Sequence, residues 1–385
     1  MAKLSITESG SSQKAFRYHR LVVKLGTNLL TGGVGRLDLE IMTSLTDQVA
    51  QLHQQGLEII LVSSGAIAAG RDRLGLIRER KDVPFRQVLA AVGQSCLMHT
   101  YEQLFAKHGI VVAQALLTKA DMSDRAGYLN ARNTLLTLLD LKVVPIVNEN
   151  DVVAIDEIKE AKFGDNDNLS AMVANLVDAD LLILLGDVAG LYTADPHLDP
   201  QAKLIPKVEK IDADIEHMAG GTDSRQGTGG MGTKVEAAKL ATSSGVAVVI
   251  ADGRQPDIIP RLVQGELLGT FFPSVTTKLE SRQRWMVSGL ASRGRVVIDA
   301  GAAMALKKGK GSLLPAGIKK VEKEFHRGDV IDVVDLQGSR IACGISNYSS
   351  ADIEVIKGAH TEEIMSLLGY EYGAGVIHRN NLVML

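Results

Sequence analysis

The strongest constraint on this chain's fold is a regular alternation of short apolar runs with helical stretches. Helical patterns end near residue 55 and cover residues 85–108, 125–140 and 235–244. Such alternation is typical of a mostly parallel sheet covered by helices on both faces. We therefore predict a three-layer α/β sandwich over residues 21–270. Its strands are predicted at residues 21–25, 57–62, 110–117, 143–147, 181–185 and 246–250.

After residue 271 the pattern changes to short β-rich segments separated by glycine turns, at residues 295–299, 328–335 and 339–346. This pattern favours a small β-barrel over a continuation of the first sheet. A length of 385 residues also favours more than one domain. We predict a disordered leader at residues 1–20 and the α/β domain at residues 21–270. A linker at residues 271–291, the small domain at residues 292–372 and a tail at residues 373–385 follow.

Composition excludes several classes of protein. The two cysteines, Cys96 and Cys343, are too far apart in sequence for a CxxC zinc site, and a disulfide framework is not expected. The first twenty residues lack the apolar core of a signal peptide. No run approaches the roughly 20 apolar residues of a membrane span. We expect a cytoplasmic protein with no membrane partner.

Polar or glycine-rich loops follow several of the predicted strands, at residues 24–28, 63–65, 148–151, 164–168 and 186–187. In an open α/β sheet, ligands bind at the carboxyl ends of the strands. One such loop would be unremarkable, but five along one edge predict a binding site.

Residues 227–234 (GTGGMGTK) are the best local candidate for a phosphate contact. The segment is not a P-loop, because Thr233 separates the last glycine from Lys234. A flexible turn is the alternative for a bare glycine loop. A lysine at its end and a helix after it favour phosphate, since a helix N-terminus presents free N–H groups and a positive dipole end.

Lys24 closes an apolar strand, so its ammonium group must either reach solvent or meet an anion. Lys234 at the glycine loop and Asp187 at the end of another buried strand favour the anion. Two amines held by one carboxylate can clamp a transferring phosphoryl group.

No motif supplies a conventional general base, because the kinase HRD, GxSxG, HExxH and Rossmann patterns are all absent. A carboxylate acceptor with a pKa of about 4.3 needs no proton removal, so it fits this absence. A plainer interpretation is open for several acidic and amide residues. Asp151 could cap a turn, and residues 165–168 (DNDN) could cap a helix, a role that is expected of Asp165 and Asn168.

Six segments along the chain form a distinctive set: residues 24–28 (KLGTN), 62–70 (VSSGAIAAG), 148–151 (NEND), 164–170 (GDNDNLS), 190–196 (GLYTADP) and 227–234. Together they resemble the glutamate 5-kinase family, within the amino acid kinase superfamily. Residues 292–371 are similar to a PUA domain, which bacterial members often carry. The resemblance implies transfer of the ATP γ-phosphoryl group to L-glutamate, giving L-glutamyl 5-phosphate in the first step of proline synthesis.

By this resemblance, Ser64, Asp151 and Asn166 hold glutamate and Asp167 supports their loop. Asp151 suits the α-ammonium group, while Ser64 and Asn166 offer hydrogen bonds to carboxylate oxygens.

The resemblance also implies that Lys24 and Lys234 neutralise the transferring group and that Asp187 organises both lysines. Magnesium is expected to arrive as Mg-ATP, without a dedicated set of protein ligands. The implied nucleotide-binding residues are Lys24, Gly186, Asp187, Thr228, Gly229, Gly230, Met231, Gly232, Thr233 and Lys234.

Two glycines depart from the family pattern. Gly186 stands where a serine or threonine is expected, and Gly232 stands where a serine is expected. A hydroxyl contact to the nucleotide is lost at Gly186, while backbone contact is retained.

The resemblance implies feedback inhibition by proline, and we expect a homo-oligomer. Rival acceptors within the superfamily are acetylglutamate, aspartate, carbamate and nucleoside monophosphate. A different reading is an RNA-binding protein, prompted by the PUA-like region and its basic residues. A net charge of −3 argues against it, so we expect at most weak RNA binding. The basic residues are Lys307, Lys308, Lys310, Lys319 and Lys320.

Overall fold

The computed structural model describes residues 17–76, 82–154, 166–196, 198–220, 230–278, 292–308 and 311–385. Its first sheet has seven strands in the order β3-β4-β2-β1-β5-β6-β7, and every neighbouring pair is parallel except β6 and β7. The strands are β1 (Arg20–Leu25), β2 (Glu58–Ser63), β3 (Val112–Leu117), β4 (Val144–Glu149), β5 (Leu181–Gly186), β6 (Ala247–Asp252) and β7 (Thr270–Phe272).

The central strands are continuous apolar runs because both faces of the sheet are buried. Along β5, Leu181, Ile183 and Leu185 pack into one core cluster, whereas Leu182 and Leu184 pack into the other. Successive side chains point to opposite faces, so one strand serves two cores. The predicted three-layer α/β fold is confirmed.

Helices cover the two faces of this sheet. One core receives side chains of α2, α4 and α10, and the other receives those of α6, α7 and α9. Asp38, Asp82 and Asp124 begin α2, α4 and α6 by accepting hydrogen bonds from free backbone N–H groups. The helices are α1 (Thr27–Thr31), α2 (Leu39–Gln54), α3 (Ala66–Arg73), α4 (Val83–Ala106), α5 (Lys119–Ser123), α6 (Arg125–Asp140), α7 (Asn166–Leu176), α8 (Ala213–Gly220), α9 (Met231–Thr242) and α10 (Ile258–Val263).

Helices α3 and α4 cross at two glycines. A Cβ atom on Gly93 would lie 1.7 Å from the carbonyl oxygen of Ala66, and one on Gly70 would lie 1.9 Å from that of Leu89. No side chain fits at either position without moving backbone. The close crossing therefore holds α4 against the helix that follows the Ser64 loop.

The second sheet has the strand order β12-β11-β10-β8-β9. Strands β8 and β10 are parallel, and the other neighbours are antiparallel. Its strands are β8 (Gly294–Ile298), β9 (Ile318–Glu322), β10 (Val330–Val334), β11 (Arg340–Ile345) and β12 (Leu382–Met384). Its helices are α11 (Ala300–Lys307), α12 (Ser350–Ile356) and α13 (Ile364–Leu368), with 3-10 turns at Pro315–Gly317, Thr361–Glu363 and Arg379–Asn381.

The ends of the predicted segments differ from the structure in three places. Tyr18, predicted within the leader, is buried in the core, and β1 starts at Arg20. Phe272, predicted within the linker, belongs to the antiparallel edge strand of the first sheet. The predicted tail supplies β12, which pairs with β11. Residues 1–16 lie outside the described part of the chain.

No helix within the described ranges combines the length and the apolar character that crossing a bilayer requires.

Candidate active site

Two buried lysines meet one buried carboxylate at the carboxyl edge of the first sheet. Lys24 lies near the end of β1, Lys234 in the first turn of α9, and Asp167 in the first turn of α7. Lys24 Nζ lies 2.5 Å from Asp167 Oδ1, and Lys234 Nζ lies 3.2 Å from Oδ2. The three residues are 3%, 6% and 0% exposed. Ammonium groups are strong hydrogen-bond donors to anions, so two of them at one strand edge suit an anionic ligand.

Glycines at the strand ends lie next to the two lysine side chains. A Cβ atom on Gly26 would lie 3.8 Å from Lys24 Nζ, and one on Gly186 would lie 3.5 Å from Lys234 Cε. The two glycines follow β1 and end β5, which are neighbours in the sheet. No side chain from either position therefore separates these parts of the two lysines from the sheet edge.

Among the described residues, the carboxylate that contacts both lysines is that of Asp167, for which only support of its loop was predicted from the sequence. The organising role predicted for Asp187 stays a prediction. Asp187 is exposed just beyond β5 and accepts a hydrogen bond from Asn28 Nδ2 at 3.2 Å. Asp167 reaches the lysines because α7 begins over the ends of β1 and β5, where Asp167 is directed inward.

A chain of amide side chains lies beside this cluster. Asn166 Nδ2 donates to the carbonyl of Ser63 at 2.9 Å and lies 3.1 Å from Ser64 Oγ and 2.9 Å from Asn148 Oδ1. Asn148 in turn donates to Gln94 Oε1 at 2.8 Å. Since Asn166 and Asp167 are consecutive, the amide chain and the lysine cluster share the first turn of α7.

The loop after β4 carries Asp151, whose carbonyl accepts a hydrogen bond from Gln87 Nε2 at 3.3 Å. Gln87 also donates to the carbonyl of Val152 at 3.0 Å. Helix α4 thus holds both Asn148 and Asp151, through two glutamines seven residues apart. Helical spacing places those two glutamines on one face, which is the sequence signal that could have identified them. Neither glutamine is among the site residues predicted from the sequence.

The glycine segment before α9 is described from Gly230 onward. Gly230 caps the helix, and its carbonyl accepts from Thr233 Oγ1 at 2.7 Å. Thr233 Oγ1 also lies 3.1 Å from Asp167 Oδ2. Met231 and Gly232 begin the helix. Thr228, Gly229 and Asp165 lie outside the described residues.

No cluster of three or more His, Cys, Asp and Glu side chains that could hold a metal ion occurs among the residues that the structure describes. The described site therefore offers ammonium, hydroxyl and amide donors, with one carboxylate between the two lysines. Such a set binds and neutralises anions.

Comparison with known families defines the class of protein. The amino acid kinase family matches residues 19–252, and the PUA domain matches residues 294–368. The first match spans more than half of the chain. The chain therefore belongs to the amino acid kinase family, and it carries a PUA domain.

Its relatives narrow the assignment. Two proteins of Dehalococcoides mccartyi strains, both named glutamate 5-kinase, are 58% and 59% identical over 96% of this chain and 99% of their own length. A glutamate 5-kinase of Herpetosiphon aurantiacus is 51% identical over 94% of this chain and 98% of its own length. The chain is thus a member of the glutamate 5-kinase family, in agreement with the resemblance in its motifs.

Among solved structures, the UMP kinase of Bacillus anthracis is 14% identical and covers 67% of this chain and 97% of its own, with a TM-score of 0.45. The UMP kinase of Ureaplasma parvum is 12% identical and has a TM-score of 0.46.

Proposed function

We propose that the chain transfers the γ-phosphoryl group of ATP to the side-chain carboxylate of L-glutamate, giving L-glutamyl 5-phosphate and ADP. The reaction would be the first step of proline biosynthesis. The observation that carries the proposal is the shared first turn of α7. There Asp167 contacts Lys24 and Lys234 while Asn166 contacts Ser64, so the proposed phosphate site would adjoin the proposed site for the acceptor.

The chemistry requires alignment and charge neutralisation. A glutamate carboxylate oxygen attacks the γ-phosphorus, the new O–P bond forms, and the bond to the β–γ bridging oxygen breaks with its electron pair leaving on ADP. The acceptor is already ionised, so no general base is needed. Lys24 and Lys234 would stabilise the negative charge on the transferring group, and Asp167 would hold their ammonium groups apart and in place.

Substrate recognition is assigned to residues near these groups. Ser64 and Asn166 would hydrogen-bond glutamate, and Asp151 would meet its α-ammonium group. Magnesium bound to the nucleotide phosphates supplies further charge neutralisation when Mg-ATP is present. The nucleotide would contact Gly186, Asp187, Thr228, Gly229, Gly230, Met231, Gly232, Thr233 and Lys234.

Further proposals concern partners. Proline would inhibit by binding at or beside the glutamate site, the chain would form a homo-oligomer in the cytoplasm, and the PUA domain would bind RNA weakly at most. If proline changed neither the KM for glutamate nor kcat, the first of these proposals would be discarded.

The decisive assay measures ADP release from Mg-ATP with glutamate, aspartate, acetylglutamate or UMP, with hydroxylamine present to trap any acyl phosphate. We expect turnover with glutamate alone. Lys24→Ala and Lys234→Ala should each lower kcat by about 10²- to 10³-fold, because each removes a charge that stabilises the transition state. Lys239→Ala is the matched control, since Lys239 lies on the same helix but pairs with Glu216 at the surface.

Two results would contradict the proposal. Turnover with another acceptor would be consistent with the proposed roles of the two lysines, but it would contradict the assignment of Ser64, Asp151 and Asn166 to glutamate binding. No turnover with any acceptor would exclude the kinase activity itself.

A further inference from the structure

The amide chain at the site has one possible hydrogen-bond direction. Asn148 Oδ1 accepts from the backbone N–H of Glu149 at 2.8 Å. A backbone N–H can only donate, so the oxygen and nitrogen of the Asn148 side chain cannot be exchanged. Its Nδ2 must therefore donate, and it does so to Gln94 Oε1 at 2.8 Å. The Gln94 amide is oriented in turn, with its oxygen toward Asn148 and its nitrogen away from it.

Gln94 Nε2 is buried and has no hydrogen-bond partner among the described residues. A buried donor without an acceptor destabilises a folded protein, so it is the kind of group that a ligand satisfies. The same amide belongs to the chain that runs through Asn148 and Asn166 to Ser64. Its unused donor therefore adjoins the proposed substrate pocket.

The backbone at Gln94 is held in place. The preceding residue, Gly93, presses against α3 at the glycine crossing, where a Cβ atom would meet the carbonyl of Ala66. Two turns earlier, Gln87 holds the carbonyls of Asp151 and Val152. Gln94 thus has little freedom to move away and satisfy its donor elsewhere.

The order of contacts indicates which end of the substrate this donor meets. The lysines contact Asp167, the adjacent Asn166 contacts Asn148, and Asn148 contacts Gln94. The reacting carboxylate of glutamate must lie beside the lysines. Gln94 stands at the opposite end of the series, on the helix that also holds the Asp151 loop.

We propose that Gln94 Nε2 donates a hydrogen bond to the α-carboxylate of the amino-acid substrate and so contributes to acceptor specificity. This inference rests on the proposed function. A carboxylate is an acceptor of hydrogen bonds, and it fits a donor that lacks one. An acceptor without that carboxylate leaves Nε2 unpaired and binds more weakly.

Gln94→Glu is the sharpest test, because it keeps an oxygen for Asn148 and replaces the donor with a second carboxylate oxygen. We expect the KM for glutamate to rise by more than about 100-fold through loss of a charge-assisted hydrogen bond and added repulsion, with the KM for Mg-ATP changed less than about twofold. A glutamate KM within about threefold of wild type would show that Gln94 only accepts the hydrogen bond from Asn148 and does not contact the substrate, and it would overturn the proposal.

Gln94→Met provides a second measurement if the glutamate variant fails to fold. The probe is 4-aminobutyrate, which has the amine and the reacting carboxylate of glutamate but no α-carboxylate. In Gln94→Met the KM for glutamate should rise about 10- to 100-fold, while the inhibition constant of 4-aminobutyrate against glutamate stays within about twofold. An equal rise in both constants would indicate a general disturbance of the pocket and would also overturn the proposal.

Gln87→Met is the matched control. Gln87 holds the loop through backbone carbonyls, so its replacement should weaken the binding of glutamate and of 4-aminobutyrate by the same factor. The activity of the wild-type protein with glutamate distinguishes failure of the proposed function from failure of the inference about Gln94. If it does not turn over glutamate, the proposed function fails; if it does and Gln94→Glu leaves the KM unchanged, the inference about Gln94 fails alone.

Discussion

Asp167 has both carboxylate oxygens engaged by ammonium groups, 2.5 Å from Lys24 and 3.2 Å from Lys234. Burying a carboxylate is unfavourable unless charged donors replace its lost hydration. The two lysines supply that replacement, and Asp167 reduces their mutual repulsion. Each group therefore depends on the other two, and the geometry of the phosphate site depends on all three.

We expect Asp167→Asn to lower kcat by about 10²- to 10³-fold, because the variant leaves two buried ammonium groups without their shared counter-charge. The change keeps the side-chain volume, so a folded variant can be assayed. Steady-state kinetics with Mg-ATP and glutamate provide the measurement.

Asp187→Asn is the matched control at the exposed carboxylate beside the same sheet edge. Its main effect should be on the KM for Mg-ATP. If Asp187→Asn lowers kcat more than Asp167→Asn does, then the sequence-based assignment of the organising carboxylate is correct and the revised one is wrong.

At the scale of elements, the crossing of α3 and α4 decides how the substrate loops meet. Gly70 and Gly93 bring the two helices so close that a Cβ atom at either position would overlap backbone of the other helix. Helix α3 follows the Ser64 loop, and α4 holds the loop that contains Asp151. The crossing therefore sets the spacing between two parts of the proposed glutamate site.

Gly93→Ala should lower the free energy of unfolding by about 1–3 kcal/mol, because the added methyl group pushes the backbones of α3 and α4 apart in a packed interior. The KM for glutamate should rise as well. Urea unfolding and kinetics measure the two effects. Gly220→Ala is the control, since a Cβ atom there meets nothing within 4 Å; equal destabilisation by both changes would refute the steric argument.

At the scale of the whole molecule, helix α6 joins the two sheets. Leu129 of α6 is buried with Val330, Cys343, Ile345 and Val383 of the second sheet. This apolar contact means that the PUA region is packed on the kinase domain in the structure.

Arg132 adds a buried polar link at the same surface. It is 2% exposed, and it donates to Asn381 Oδ1 at 2.7 Å, to Asp178 Oδ2 at 2.6 Å and to the carbonyl of Leu176. Leu176 ends α7, the helix whose first turn carries Asn166 and Asp167. The segment before β12 is thereby tied to a helix of the active site.

Arg132→Met should lower the free energy of unfolding by about 3–5 kcal/mol, because Asp178 and the carbonyl of Leu176 lose their charged donor inside the protein. Chemical unfolding monitored by circular dichroism provides the value. Arg261→Met removes an arginine that pairs with Glu266 where both side chains are exposed, and it should cost less than about 1 kcal/mol. A loss at Arg132 no larger than the loss at Arg261 would mean that the link contributes little.

Asp180 couples stability to pH. Burial raises the pKa of its carboxyl group, but hydrogen bonds from Lys278 and from the N–H groups of Arg20 and His19 lower it further than burial raises it. The folded-state pKa therefore lies below the ordinary value of 3.8. The stabilisation is complete above that ordinary value and is lost as pH falls through the folded-state pKa.

We expect Asp180→Asn to destabilise the protein at neutral pH and to have a progressively smaller effect as the pH falls below about 4. Urea unfolding of both proteins across this range gives the difference. A difference that stays constant with pH would show that the charge of Asp180 does not stabilise the fold.

The α/β architecture and the residues available to the site can be predicted from local patterns in the sequence. Continuous apolar runs such as 181–185 are a local property, because a strand buried on both faces needs apolar side chains at every position. The lysines at residues 24 and 234 were also readable, since charged residues beside apolar strands and glycine loops need a local explanation. These signals depend on neighbours in the chain, so they do not require the fold to be known.

Which of these groups contact one another depends on how the chain folds. The sequence favoured Asp187 as the carboxylate between the lysines, whereas in the structure Asp167, in the first turn of α7, contacts both of them. The contacts of Gln94 with Asn148, and of Asn148 with Asn166, join residues from three separate elements. The pairing of β12 with β11 likewise joins distant segments. Such contacts follow from strand order and helix crossing, which bring together residues that no local pattern connects.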